Sequence, residues 1–380
     1  MDKKQIACGR KLVNLLAEGL GCSSCAPIAA DADITELLEM ARNHELLVMA
    51  VHTLKQSDHF RDDPRLDAWS QAVQDSVWQG RVQHLELMNL CNRFALAQIP
   101  MMPLKGSLLK TLYPRTEYRQ MCDLDLLVPE DRIPQARELL TAAGYALEEI
   151  GEFHRDIFVK LPFMEIELHS RLLPDKEVSA KMFEGLWDRA KAPEQGNTGW
   201  RMSNEDFYVF LILHFAKHYK FRGSGIRSIL DLWLFLEKYG PELDQDKLSR
   251  IFADSGLSWF RETAEALADV WFGDGIHDRE TRKMELNLFC SGGIYGSDKQ
   301  YMRNHLMWVG DIDRSADKLW TKIRFLMWRI FPPLRTMRIR YPILVRKPVL
   351  LPVYWIFRIG EAIFNSGRKT WKEIIGIWKA

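Results

Sequence analysis

Arg119-Gln-Met-Cys-Asp-Leu-Asp-Leu-Leu-Val128 is the stretch from which the rest of the chain can be read. Asp123 and Asp125 stand two apart with Leu124, Leu126 and Val128 interleaved, the period-two pattern of a strand with one apolar face. Both carboxylates therefore leave the strand on the same side. Two acids held that close repel each other unless a cation lies between them, so the pair is costly as structure alone and suited to a divalent metal.

Upstream, the apolar stretch from Ile99 to Leu104 breaks at Lys105-Gly106-Ser107, where a helix-like run begins. Glycine and serine at a helix start offer backbone N–H groups and a hydroxyl to a phosphate. A cation immediately before such a turn, Lys105, counters charge that builds on a leaving pyrophosphate. Downstream, Phe163-Met-Glu-Ile-Glu-Leu-His169 alternates again, with Glu165, Glu167 and His169 on one face and Ile166 and Leu168 on the other. That supplies a third carboxylate on a second strand, and His169 stands where it can orient Glu167 by a hydrogen bond.

Helical spacing fills residues 5–56 and again Asp67 to Ala97, the latter as one long helix or two in line. The pattern then predicts a strand over 99–104, a helix over 106–112, a strand over 123–128, and a helix over 131–143 stopped by Gly144. Strands follow near 145–150, 154–160 and 163–169. Helices return from a cap at Ser203, with Asp206 at the capping-box position before Phe207 to Tyr219. They continue with Ile226 to Tyr239 and weaker runs to about Trp308. This order predicts an α+β fold, a small mixed sheet covered on one face, with its acids on the open face. The expected divisions are an N-terminal helical region over 1–98, the α/β core over 99–175, a helical domain over 176–315 and a tail over 316–380.

The set Leu104-Lys-Gly-Ser107, Arg119-x-x-x-Asp-Leu-Asp-Leu-Leu-Val128, Gly144-Tyr145 and Ile166-Glu-Leu-His169 resembles the bacterial family of uncharacterised nucleotidyltransferases within the polymerase-beta-type superfamily. The match covers about 70 residues, and a softer similarity extends to Leu213-His-Phe-Ala-Lys-His218 and to Tyr341-Pro-Ile-Leu and Leu350-Leu-Pro-Val-Tyr-Trp355. The spacing from Gly106-Ser107 to Asp123 is longer than in the general superfamily pattern. The resemblance implies a nucleotidyltransferase core and Mg²⁺ (or Mn²⁺) held by Asp123, Asp125 and Glu167. It implies an NTP whose phosphates meet Lys105, Gly106, Ser107 and Arg119, with transfer of its NMP to a hydroxyl acceptor. It also implies a helical domain that holds the base or the acceptor. Two other classes stay open. One is a nucleotide-binding accessory without catalysis, as in cell-surface polysaccharide assembly. The other is a glycosyltransferase using Asp-x-Asp, against which stands the apolar run following, not preceding, the motif.

His214 and His218 lie four apart, the spacing of a zinc pair, but Phe215 stands where a metalloprotease has glutamate. With Lys217 they read either as phosphate or acceptor contacts or as helix surface. Arg227 and Asp231 have the spacing of an i,i+4 ion pair.

Six cysteines are dispersed, the lone pair Cys22-Ser-Ser-Cys25 lacks the context of a redox or zinc site, and Met1-Asp-Lys-Lys-Gln is no apolar leader. The expectation is a cytoplasmic protein. A net charge of +1 over 380 residues hides an asymmetry. From Lys318 onward 14 Lys and Arg face two acids, a net of +12, while residues 1–317 carry a net of −11. Trp320, Trp328, Tyr341, Tyr354, Trp355, Trp371 and Trp378 are spread through that tail. Such a composition fits peripheral contact with an anionic membrane at its inner face, nucleic-acid binding, or packing onto the acidic body. No apolar run is long enough to span a bilayer.

Overall fold

Alternation of apolar and polar residues places the sheet. In the computed structural model, which describes residues 3–22, 28, 32–150, 155–162, 164–173, 182–193, 199–221, 224–294, 331 and 347–357, it has five strands in the order β1-β2-β5-β4-β3. They are β1 (Met102–Pro103), β2 (Leu124–Leu127), β3 (Ala146–Ile150), β4 (Arg155–Lys160) and β5 (Met164–His169). β2 and β5 are parallel, and the other pairs are antiparallel. The mixed α+β architecture expected from the sequence is the one observed.

Leu124, Leu126 and Val128 of the β2 region, Met164, Ile166 and Leu168 of β5, and Phe158 of β4 point to one side. There they pack on Leu87, Leu90, Cys91 and Phe94 of α4 (Ser70–Leu96) and Ala136 and Leu140 of α6 (Ile133–Ala142). Each fully buried Leu, Ile or Phe contributes about 1.5–3 kcal/mol, so this layer is what anchors the strands. Asp123, Asp125, Glu165, Glu167 and His169 consequently face the other way.

β1 is shorter than the expected 99–104. Pro103 has no N–H to give to a ladder. Beside it, Trp200 N–H donates to Met101 O at 2.9 Å, and Leu104 N–H to Asp125 O at 2.9 Å.

By contact the chain forms two units: 1–217 with 224–295, and 218–223 with 296–380. The first begins with α1 (Lys3–Leu20), α2 (Ile34–Asn43) and α3 (Leu47–Gln56), whose buried faces include Leu12, Leu16, Leu37, Leu38 and Val48. Asp33 Oδ1 caps α2 by accepting from the Thr35 and Glu36 N–H groups. A single turn, α5 (Gly106–Leu109), precedes the acid strand, and α7 (Leu186–Arg189) precedes the later helices α8 (Asn204–Phe221), α9 (Ile226–Tyr239), α10 (Gln245–Asp254), α11 (Ser258–Phe272) and α12 (Arg279–Cys290). Ser203 Oγ caps α8 through Asp206 N–H at 3.0 Å, but the Asp206 carboxylate turns to Arg189 and does not close a capping box.

The expected Arg227–Asp231 pair is not formed. Asp231 accepts two bonds from Arg119, both 2.8 Å, and one from the Tyr113 hydroxyl at 2.7 Å. Arg227 instead reaches Glu45 and, at 2.6 Å, the carbonyl of Gln120. An exposed i,i+4 pair contributes only a few tenths of a kcal/mol, whereas leaving a buried charge unpaired costs about 3–5 kcal/mol. Tyr113 and Arg119 therefore capture Asp231, and Glu45 with the Gln120 carbonyl captures Arg227.

Cys25, the strand start at 154, the helical run beyond 294 to Trp308, and the tail residues 318–330, 332–346 and 358–380 lie outside the described residues. So do the expected roles of Trp320, Trp328, Tyr341, Trp371 and Trp378. In the second unit a helical segment occupies 348–357.

Candidate active site

β2 and β5 are in register with Asp125 opposite Glu167 and Leu127 opposite His169. Side chains two apart on parallel neighbours share a face, so Asp125, Glu167 and His169 converge. One ligand atom from each lies within 4.8 Å of the others, and among the described residues this is the cluster able to hold a metal ion. His169 Nε2 is 2.8 Å from Asp125 Oδ1 and 3.4 Å from Glu167 Oε2. His169 thus joins both acids, not Glu167 alone as its sequence neighbourhood suggested.

The electrostatics are those of an acid cluster short of cations. Burial, then repulsion from Asp125 and Glu167, pushes Asp123 up to about 6. Burial alone would also raise Asp125, but Lys105, His169 and, more weakly, His214 hold it well below the usual carboxylate range. Burial likewise works against Glu167, and the His169 bond together with Arg155 lowers it overall. Burial disfavours the charged form of His169, yet its bonds to the two carboxylates outweigh that and raise its pKa. In the metal-free protein His169 and Lys105 offset only part of the acids' charge.

Lys105 reaches Asp125 at 3.3 Å and sits 5.7 Å from the Phe210 ring of α8, so the acid face is partly roofed and not fully open. Its φ of +38° is a left-handed conformation that a residue with a Cβ adopts only when its surroundings insist. Gly106 follows because a Cβ there would fall 2.5 Å from Arg119 Nη1 and 2.8 Å from Met121 Sδ. Ser107 is buried, and its hydroxyl has no hydrogen-bond partner. Buried polar groups almost always find partners, so this hydroxyl beside a lysine and an acid cluster is an exception within the fold.

Arg119 is placed behind this turn. It is 6% exposed, and the Nε–Nη2 edge of its guanidinium is committed to Asp231. His214, half-buried on α8, is near enough to influence Asp125. Lys217 is exposed one turn further along α8, and His218 belongs to the second unit.

Sequence reasoning missed three residues. Arg155 donates to Glu167 Oε1 at 2.5 Å. Its signal was available, since Arg155, Ile157 and Val159 alternate on β4 and Arg155 stands opposite His169. Asp231 and Tyr113, which hold Arg119, had no local signal.

Beyond the carboxyl ends of β2 and β5 lies a cavity of about 620 Å³, lined by Leu127, Ser170, Arg171, Phe183 and Trp187 among others. Leu127 shares the face of Asp125, and Ser170 follows His169, but Asp125, Glu167 and His169 themselves do not line the cavity. Its size is that of a small-molecule site.

Residues 30–273 match the family described as uncharacterised nucleotidyltransferase, well over half of the chain. The chain belongs to that family. Nucleotidyl transfer is therefore its class of chemistry and a nucleotide its class of substrate. The matched span holds Lys105, Gly106, Ser107, Asp123, Asp125, Glu167, His169 and His214, and leaves the tail outside. No curated protein and no solved structure matches the chain.

Proposed function

We propose that this nucleotidyltransferase family member moves a nucleoside monophosphate from an NTP to a hydroxyl-bearing acceptor with release of pyrophosphate, and that it needs a divalent metal. The observation that carries the reading is the convergence of Asp125, Glu167 and His169 within 4.8 Å. The donor set fits such an ion: two carboxylates and an imidazole, with Asp123 raised by repulsion that a cation relieves. Carboxylates suit Mg²⁺, and the imidazole shifts the preference toward Mn²⁺. When bound, the ion neutralises phosphate oxygens.

The chain's own residues do the rest. Lys105 leaves Asp125 for the phosphates, which Gly106 N–H and the Ser107 hydroxyl also meet. The acceptor oxygen bonds to the α-phosphorus as the bond from phosphorus to the bridging oxygen breaks, and the acceptor's proton passes to Glu167. Pyrophosphate leaves toward Lys105. Arg119 positions the turn from behind and does not touch the nucleotide. The cavity beyond β2 and β5 takes the acceptor.

The test is pyrophosphate release from a panel of NTPs with Mg²⁺ or Mn²⁺ and a pool of hydroxyl acceptors, for the wild type, Asp125→Asn and Glu167→Gln. Either substitution should lower turnover by at least about a hundredfold, the scale of a lost electrostatic or acid–base group. Wild-type rates in both variants would end the assignment. Nucleotide binding without pyrophosphate release in the wild type would leave the accessory reading instead.

A further inference from the structure

The helical segment over 348–357 presents its apolar side outward. Val349 is 82% exposed, Val353 47%, Ile356 71% and Phe357 62%. Their spacing of four, seven and eight residues draws one stripe along a helix, and Pro352 lies exposed within it. Leu350, Leu351, Tyr354 and Trp355 on the other side are half-buried, with Trp355 edge-on to Phe331 at 5.3 Å. Surface helices of soluble domains turn polar residues to water. Here no charged residue lies between Lys347 and Arg358. Exposed apolar patches of this kind mark contact surfaces.

Charge selects the occupant. From Lys318 onward the sequence carries a net of +12, and Arg346, Lys347 and Arg358 bracket the stripe itself. A second copy would bring the same positive charge against it. Single-stranded nucleic acid would want aromatic rings outward for stacking, whereas Tyr354 and Trp355 are the half-buried ones and aliphatic side chains face out. A surface with an apolar interior and an anionic headgroup layer satisfies both features at once. The segment is too short to cross a bilayer, and no helix among the described residues is long and apolar enough to do so.

We infer that residues 348–357 lie flat in the interface of an anionic bilayer. Val349, Val353, Ile356 and Phe357 enter the boundary between headgroups and acyl chains, and the bracketing cations meet the headgroups. This inference does not depend on the proposed reaction.

The experiment uses full-length protein and sedimentation with vesicles of phosphatidylserine mixed into phosphatidylcholine, against phosphatidylcholine alone. Ile356→Glu with Phe357→Glu removes the stripe, Arg346→Glu with Lys347→Glu removes the bracket, and Val349→Gln is a milder change should the first pair fold poorly. Binding should require phosphatidylserine and weaken with salt. It should fall about tenfold or more in the stripe pair and measurably in Val349→Gln, with thermal melting unchanged. Stripe variants that bind as the wild type does would overturn the inference, leaving electrostatic adsorption only. So would tighter binding to a single-stranded oligonucleotide than to vesicles, or a concentration-dependent dimer that the stripe pair abolishes.

Discussion

Replacing Asp123 with asparagine should make the metal-free protein more stable while removing its nucleotidyl transfer. Asp123 titrates at about 6, against 3.8 for an unperturbed aspartate, because it is buried beside Asp125 and Glu167. A folded pKa above the unfolded one means that ionisation works against the fold. The penalty is absent below the unfolded value, grows as the pH rises, and is complete above the folded one. Two units at 1.36 kcal/mol each set an upper bound of about 3 kcal/mol, and solvent screening of a half-buried group brings it to about 2 kcal/mol. For a unit of this size that is a rise in melting temperature of about 4 °C. The assay is thermal melting in EDTA at pH 8 and at a series of lower pH values. The advantage of Asp123→Asn should shrink below pH 6 and be gone near pH 4. Adding Mn²⁺ or Mg²⁺ should raise the wild type more than the variant, because a cation held by Asp125, Glu167 and His169 also relieves the repulsion on Asp123. If Asp123→Asn melts below the wild type in EDTA at pH 8, Asp123 is already compensated within the fold and the argument from repulsion fails.

Ser107→Ala removes a buried hydroxyl that has no partner, so the apo fold should be unchanged or firmer by up to about 1 kcal/mol, while KM for the NTP rises; calorimetric unfolding and initial-rate kinetics read the two effects. His44 is buried, accepts the Ile226 N–H at 3.0 Å, and is pushed down to about 3, first by burial and then by Arg227. Its neutral form is the folded one, so its contribution is full above about pH 6.5 and declines as the pH falls toward 3, by about 2 kcal/mol at pH 5. Urea unfolding across that range should show this acid slope, and His44→Asn, which keeps an acceptor without titrating there, should flatten it; equal slopes would contradict the assignment.

The period-two and helical patterns were enough to place nearly every element of the first unit, because the sheet's inner face is apolar apart from Asp156, which Arg137 pairs, and a one-residue slip would have turned the site's acids into that core. The long helix α4 and the exact span of α9, Ile226–Tyr239, followed from the same logic. What local pattern could not carry was partnership across distance. Arg227 and Asp231 looked like a pair because they are neighbours on a helix, yet each answers to a buried charge far away in sequence. Arg119 looked like a phosphate contact because it precedes the acids, and only the tertiary fold shows it turned to α9. His169 read as an orienting partner of Glu167, since sequence gives the face of a side chain but not how far it reaches across to the next strand.

The bond between Arg119 and Asp231 spans 112 residues. Through it a carboxylate in the later helical region sets the shape of the turn at Gly106, which admits no side chain because Arg119 lies against it. The sheet with its acids is consequently not a detachable cassette. A shortened chain ending after β5 would keep every acid and lose the counter-charge that seats the turn. A transplant of this sheet into another scaffold would have to carry the loop over 113–122 and α9 as a matched pair, so the module is discontinuous along the chain although it is contiguous in space.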